Sequence, residues 1–436
     1  MAKRRFIMDV AGVFNSNILS MGSAFLLSIL LTHQLGPEGF GLLSALVIIP
    51  LIVVSITQMG VRGASIYLLG QKKYDEQAIV SSMLALLAFT SLAGIVFSSV
   101  AYFIYSEPGF TVLLVALVVP VIPLRLAVIY IGGIFMGRDE IRKSNQLNWP
   151  INLINLLLAA VLVWGLEMQV LGAVIAAVLA NLAVSVYTFW LLSKDFKISF
   201  RYSKEILLQL LKMGILYSLS FFIIQLNYRV DIIILENLTD LKEVGLYSLA
   251  VNLAEQLWQV PHAISLIIFA RTAGAEDMSQ VTAQTLKLTR LSFLLSIVLS
   301  VVLILLAPWL VPLIFGQEFS QSILMLQIII PGIVFLVIYR VLSGQMAGMG
   351  KPQVSIYIFA PALLLNVLLN FVFIPVWGGA GAAMASNISY FLGAAGYWFI
   401  FAKINGIRYS EILRFRKGDF RPVLQLIKGP KALWKN

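Results

Sequence analysis

The chain has 436 residues, 60% of them hydrophobic and only 12% charged, with a mean hydropathy of +0.93. Soluble domains run at about 45–50% apolar and about 25% charged, so this chain carries more apolar surface than a water-facing fold can bury. Lys and Arg outnumber Asp and Glu by 31 to 20, and in a membrane chain the resulting +11 reads as basic residues held on the cytoplasmic side, not as a nucleic-acid surface.

The basic start Met1-Ala2-Lys3-Arg4-Arg5 precedes an apolar run from Val10 to Thr32. No small-residue cleavage site follows that run, so it reads as a first membrane helix and not as a removed signal. Apolar windows of spanning length lie at roughly 11–32, 40–60, 79–104, 110–136, 147–165 and 169–192. After a polar, basic stretch they resume at roughly 213–236, 244–269, 288–314, 322–346, 353–375 and 379–402. The expected fold is an all-α integral membrane protein of twelve transmembrane helices in two six-helix lobes. The expected domains are an N-terminal lobe at 1–193, a basic linker at 194–212, a C-terminal lobe at 213–402 and a basic amphipathic tail at 403–436.

Charge placement orients these helices. With the N-terminus inside, the predicted cytoplasmic segments collect Arg62, Lys72, Lys73, Arg138, Arg142, Lys143, Lys194, Lys197, Arg201, Lys204 and Lys212. They also collect Lys287, Arg290, Lys351 and the tail. Lys242 is the single basic residue of the predicted outer loops. That asymmetry places the protein in the cytoplasmic membrane with both termini cytoplasmic. The tail intersperses Ile412, Leu413, Phe415, Leu424, Ile427 and Trp434 among basic residues, the pattern of a segment drawn to anionic lipid.

The halves resemble each other. Gly41-Leu42-Leu43-Ser44-Ala45 opens the second window and Gly245-Leu246-Tyr247-Ser248-Leu249 opens the eighth. Asn152, Asn155 and Leu171-Gly172-Ala173 in the first half are answered by Asn366, Asn370 and Gly379-Ala380-Gly381 in the second. Six helices per half return the chain to the side it started from. The repeats are therefore parallel, related by a pseudo-two-fold axis along the membrane normal, with a substrate path most naturally between them.

The segment Leu35-Gly36-Pro37-Glu38-Gly39-Phe40-Gly41, with Asn366, Asn370, Pro375 and Gly379 to Ala385, resembles the polysaccharide transporter branch of the multidrug/oligosaccharidyl-lipid/polysaccharide exporter superfamily. The resemblance implies a two-lobed flippase that moves a lipid-linked oligosaccharide from the cytoplasmic to the outer leaflet for polysaccharide biosynthesis. It implies as partners a polyprenyl-linked glycan, membrane lipids and polysaccharide assembly enzymes, with no nucleic acid. Lipid II flippases of the superfamily usually carry two further helices, which this chain lacks. Its multidrug exporters commonly place an acid within the first helix, where this chain has Asn15, Ser16 and Asn17 and only Asp9 at the edge. The competing expectation is a drug/cation antiporter of the same superfamily, against which three intramembrane arginines count.

Charge within a bilayer costs about 2.5–3.5 kcal/mol at a helix centre, so each such residue needs a reason. Arg125 lies mid-helix after Pro120 and Pro123, where it either lines a cavity or pairs with a neighbouring helix. Arg340 holds the matching place in the tenth helix, near enough to the interface to snorkel. In the seventh helix Gln225 and Arg229 form one stripe with Ser218 and Glu236, and Asn227 and Asp231 form another with Ser220. The residue pattern leaves open which stripe faces a cavity. In the eighth helix Ser248, Asn252, Glu255, Gln256, Gln259 and His262 fall within about a third of the helix circumference, an arc that either lines water or packs against another polar helix. The cargo-contact candidates are thus Arg125, Arg229, Arg340, Asn252, Gln256, Gln259 and Gln225, with Glu255 and Asp231 as ion-coupling candidates.

Catalysis is not expected. Two histidines, His33 and His262, lack metal-ligand spacing, cysteine is absent, and no phosphate-binding loop, dinucleotide fingerprint or serine elbow occurs. No cofactor, metal or catalytic residue is assigned, and the third possibility, a membrane-embedded glycosyltransferase, lacks the outer loops it needs. The topology is testable by placing single cysteines at Ser199 and at Asn436 in this cysteine-free chain. An impermeant thiol reagent applied to intact cells should label neither, and labelling of either from outside would refute the twelve-helix arrangement.

Overall fold

The protein is described by a computed structural model covering residues 2–415 and 419, apart from 72, 106–108, 139, 148, 274 and 276. Side chains at 2–18, 67, 70, 71, 141, 216, 266, 267, 270, 271 and 273 also lie outside the description. The expectations for Asp9 and the Asn15-Ser16-Asn17 segment, and for most of the amphipathic tail, therefore fall outside it. Among the described residues every regular element is helical, and nine helical stretches are long and apolar enough to cross a membrane. Large apolar side chains such as Phe103, Val112, Trp309, Leu313, Leu364 and Val376 stand exposed on these helices. Water would penalise such a surface, whereas lipid solvates it.

In chain order the helices are α1 (Ala2–Thr57), α2 (Val61–Gln71), α3 (Glu76–Ile104), α4 (Val112–Val118), α5 (Val121–Gly137), α6 (Ile141–Asn145) and α7 (Trp149–Ala159). They continue as α8 (Gln169–Asp195), α9 (Lys204–Leu238), α10 (Leu241–Glu255), α11 (Gln259–Ala273), α12 (Met278–Phe315), α13 (Ser322–Gly348) and α14 (Gln353–Asn405). One crossing needs about 20 residues, yet α1 and α14 run for 56 and 53. Each is two helices joined at a bend. In α1 the bend is Gly36 (φ 63°, ψ −179°), a conformation that only glycine adopts at low cost. Pro37 follows it, disfavouring helix at Gly36 and fitting the first turn of the next helix. In α14 the bend is Gly378 (φ 54°, ψ −133°), three residues after Pro375.

Contacts divide the chain into two compact units, Met1–Leu246 with Pro312–Phe319 and Tyr247–Val311 with Ser320–Asn436. In the first unit α1 packs on α7, α9, α3 and α8, and α5 packs on α2, α8 and α3. Glycines allow the closest approaches. A methyl group on Gly41 would lie 1.7 Å from the Leu241 carbonyl oxygen, and one on Gly245 would lie 1.9 Å from that of Pro37. The two repeated Gly-Leu segments therefore meet backbone to backbone, each glycine seated on the other's chain. Gly60 and Gly214 repeat the arrangement, with 2.2 Å to the Gly214 carbonyl oxygen and 2.1 Å to that of Met59. Between Gly41 and Gly60 the chain rises about 28 Å at 1.5 Å per residue, close to the thickness of a bilayer's hydrocarbon core.

In the second unit α13 is the central helix, flanked by α11 and α14. Its Gly344 and Gly348 accept the backbone of α11 at Ser265 and Phe269, and Gly332 accepts Asn387 of α14. The other repeated motif also has a structural counterpart. Gly172 sits on the Leu162 carbonyl in the first unit, and Gly381 sits on the Phe373 carbonyl in the second. Some buried hydroxyls bond within their own helices, as where Thr188 donates to Val184 O at 2.7 Å and Thr272 to Ile268 O at 2.7 Å. The basic end of α12 holds the chain beyond α14: Arg290 grips Asp419 through two bonds of 2.8 and 3.0 Å and donates to the Glu411 carbonyl at 2.9 Å.

The glycine contacts predict a sharp positional sensitivity. Gly245→Val forces side-chain atoms into a facing carbonyl and should cost about 1–3 kcal/mol or more, read as a lower unfolding temperature and less monodisperse protein in detergent. Gly63→Ala, where an added methyl meets nothing within 4 Å, should leave both unchanged. Equal behaviour of the two variants would contradict the backbone contact.

Candidate functional site

The site forms where the fourth hydrophobic window breaks. Pro120 and Pro123 have no N–H to give, so α4 ends at Val118 and α5 restarts at Val121, bridged by the short-range bond from Ile122 N to Val119 O at 3.1 Å. Arg125 follows within the first turns of α5 and lines a cavity of about 160 Å3 inside the first unit. The wall comes from both halves of α1, including Leu31 and Pro50, together with α5, α7 and α8. Most of the lining is apolar. Among the described residues its polar members are Arg125, Asn152, Asn155 and Asn181, and no carboxylate is among these.

The polar groups of this cavity are unevenly served. Asn152 Nδ2 donates to Ser20 Oγ at 2.8 Å. Asn181, 3% exposed, donates from Nδ2 to Ala177 O at 2.8 Å, while its Oδ1 meets no donor among the described residues. Neither Arg125 nor Asn155 has a hydrogen-bond or ion-pair partner among the described residues. Arg290 in the second unit provides the contrast. It too lines a cavity, of about 480 Å3, but Asp419 already neutralises it. Arginine stays protonated where a buried lysine would shed its proton, so Arg125 presents a permanent charge with five donors to a largely apolar space. Such a site selects for an anion.

The other candidates are placed as follows. On α9, Asn227 and Asp231 are fully buried, with Asp231 Oδ1 accepting from Ile232 N at 2.9 Å, while Gln225 and Arg229 on the other stripe are half-buried. Burial does not divide the stripes cleanly, since Ser218 and Glu236 of the first stripe are buried as well. Both amide atoms of Asn227 lack a partner among the described residues. Arg340 stacks over the Trp258 ring at 4.7 Å, and Trp258 Nε1 donates to Ile333 O at 3.3 Å. Asn252 and Glu255 are half-buried and Gln256 and Gln259 exposed.

The eighth helix is not continuous. A 3-10 turn at Gln256–Trp258 separates α10 from α11, and Pro261, which cannot donate, lies just beyond. A 3-10 turn advances about 120° per residue instead of about 100°, so its three residues add only about 60°, and Gln259 and His262 stay on the same third of the circumference as Ser248 and Asn252. The sequence reading also passed over Asn181 and Trp258. The available signals were a lone asparagine in an apolar helix and a tryptophan beside a polar run.

With this geometry in place, the comparisons with known proteins are specific. The family described as "Polysaccharide biosynthesis protein" matches residues 8–269, and the MatE family matches residues 217–372. An uncharacterized membrane protein of Methanocaldococcus jannaschii is 23% identical over 87% of this chain and 94% of its own length. The capsular polysaccharide biosynthesis protein CapF of Staphylococcus aureus is 21% identical over 90% of this chain and 98% of its own. The solved structure of the lipid II flippase MurJ in an inward closed conformation has the same fold, with a TM-score of 0.75 and 14% identity over 98% of this chain and 97% of that one. With more than half its length matched, the chain belongs to the polysaccharide biosynthesis protein family, in the polysaccharide transporter branch of the multidrug/oligosaccharidyl-lipid/polysaccharide exporter superfamily.

Proposed function

We propose that this multi-pass membrane transporter moves a lipid-linked oligosaccharide, carried on polyprenyl phosphate or diphosphate, across the cytoplasmic membrane for polysaccharide assembly. The single observation that carries the reading is Arg125, a permanent cation facing a cavity with no carboxylate among its described lining residues. An anionic cargo fits that polarity, and a cationic drug does not. The names of CapF and MurJ, polysaccharide biosynthesis and lipid II flipping, point the same way. The antiporter remains the second reading, favoured by the MatE match over 217–372.

In this proposal twelve crossings form two lobes, at 1–193 and 213–402, that expose a cargo path alternately to each side. Half-buried Arg229 and Gln225, with Asn252, Gln256, Gln259 and Arg340, offer charge and amide groups that match phosphate oxygens and sugar hydroxyls. The isoprenoid tail stays in lipid. The energy comes from an ion gradient sensed at Glu255 or Asp231, and the protein acts as a transporter, not as an enzyme.

Two predictions test this. Arg125→Gln and Arg125→Ala should abolish glycan export at a near-normal protein level, and Arg125→Lys should restore only part of it because the planar fork is lost. Normal export by Arg125→Ala would remove the residue from cargo handling. Glu255→Gln, which mimics the protonated carboxyl, should retain cargo binding yet lose its response when the proton or sodium gradient is collapsed in reconstituted vesicles. Unchanged gradient dependence would remove Glu255 from coupling.

A further inference from the structure

The cavity around Arg125 is too small for the glycan. At about 160 Å3 it compares with the roughly 150 Å3 engineered cavity that admits a benzene ring. Pockets that hold whole drug-sized ligands start at about 300 Å3. A sugar ring attached to its phosphate exceeds this space, whereas one tetrahedral oxyanion fits.

The unserved atoms then narrow the chemistry. Arg125 offers a planar fork of donors and needs anionic oxygens. Asn181 Oδ1 needs the opposite, a hydrogen donor. Asn155, in the same lining and without a partner among the described residues, serves either role through its two amide ends. A halide would balance the charge and leave Asn181 Oδ1 bare. An oxyanion that keeps one hydroxyl meets both demands, and the apolar walls from Leu27, Leu31 and Val121 exclude the water that would weaken these bonds.

We propose that this cavity binds one protonated tetrahedral oxyanion of the phosphate class, with Arg125 holding the charge and Asn155 and Asn181 reading the hydroxyl. Two sources present that chemistry, free inorganic phosphate and the head of a polyprenyl monophosphate. A glycosylated diphosphate offers Arg125 its charged oxygens but Asn181 no hydroxyl, so it engages Arg125 alone, with its glycan outside the cavity. The full set of groups is met by the carrier without its glycan, or by phosphate itself. The inference draws on the flippase reading only for the second source.

The test uses the full chain in nanodiscs free of polyprenyl lipid, with thermal unfolding followed at neutral pH and constant ionic strength. Sodium phosphate should raise the unfolding temperature by a few degrees in a saturable way, and sulfate, which has no hydroxyl at that pH, and chloride should do so far less. Arg125→Gln should abolish the phosphate shift. Asn181→Ala, which keeps the charge, should bring the phosphate response down toward that of sulfate, so the assignment stays testable if Arg125→Gln fails to fold. Equal shifts with all three anions, or a full phosphate shift in Arg125→Gln, would overturn the proposal. Competition between added polyprenyl monophosphate and radiolabelled phosphate assigns the lipid head as occupant, and its absence assigns the free anion; both results support the site. Failure of the flippase reading is separate, since it would appear as absent glycan-lipid translocation with phosphate binding intact.

Discussion

The group on which the cavity of the first unit depends is the guanidinium of Arg125. Arginine keeps its proton even when desolvated, so the protein cannot relieve the charge by neutralising it. Elsewhere the chain does relieve such charges. Arg290 receives a bidentate carboxylate and a carbonyl, and Arg340 receives the face of Trp258. Arg125 receives neither among the described residues, and the helix that carries it is broken by two prolines directly beside it. Its cavity is therefore a place where structure has been kept incomplete.

The rest of the first unit supplies a frame for that cavity. The Gly36-Pro37 bend sends the second half of α1 back across the membrane, and Pro50 in that half forms part of the cavity wall. The same half-helix meets α10 at Gly41, and the turn that follows it meets α9 where Met59 and Gly60 touch Gly214, in both places through bare backbone. In lipid there is no hydrophobic drive between apolar helices, so close packing of small residues and weak Cα–H contacts carries association. Contacts of this kind hold by shape and have no interlocked side chains to extract.

Much of this was legible in the sequence because a bilayer imposes a simple code. Helix class follows from apolar runs, and Gly36 and Gly378 are legible as bends because each lies by a proline between two such runs. The Gly41 and Gly245 motifs were visible as a repeat, but their mutual contact was not, since pairing of distant segments is a tertiary property. The break in the eighth helix was not legible from its apolar run: a 3-10 turn at Gln256–Trp258, beside Pro261, interrupts it, while turning the later polar residues by only about 60°. Asn181 stayed hidden because one asparagine in an apolar helix often bonds its own backbone. It does so here through Nδ2, and only the three-dimensional lining reveals that Oδ1 is left over.

The central claim is that the cargo is an anionic lipid-linked glycan and not a cationic drug. Its most direct test is transport by the purified chain in vesicles, offered a fluorescent polyprenyl diphosphate oligosaccharide on one leaflet, with an impermeant quencher reporting arrival on the other. The account predicts protein-dependent translocation of the glycan lipid and none of a lipophilic cationic dye under the same gradient. Accumulation of the dye with the glycan lipid left in place would contradict it.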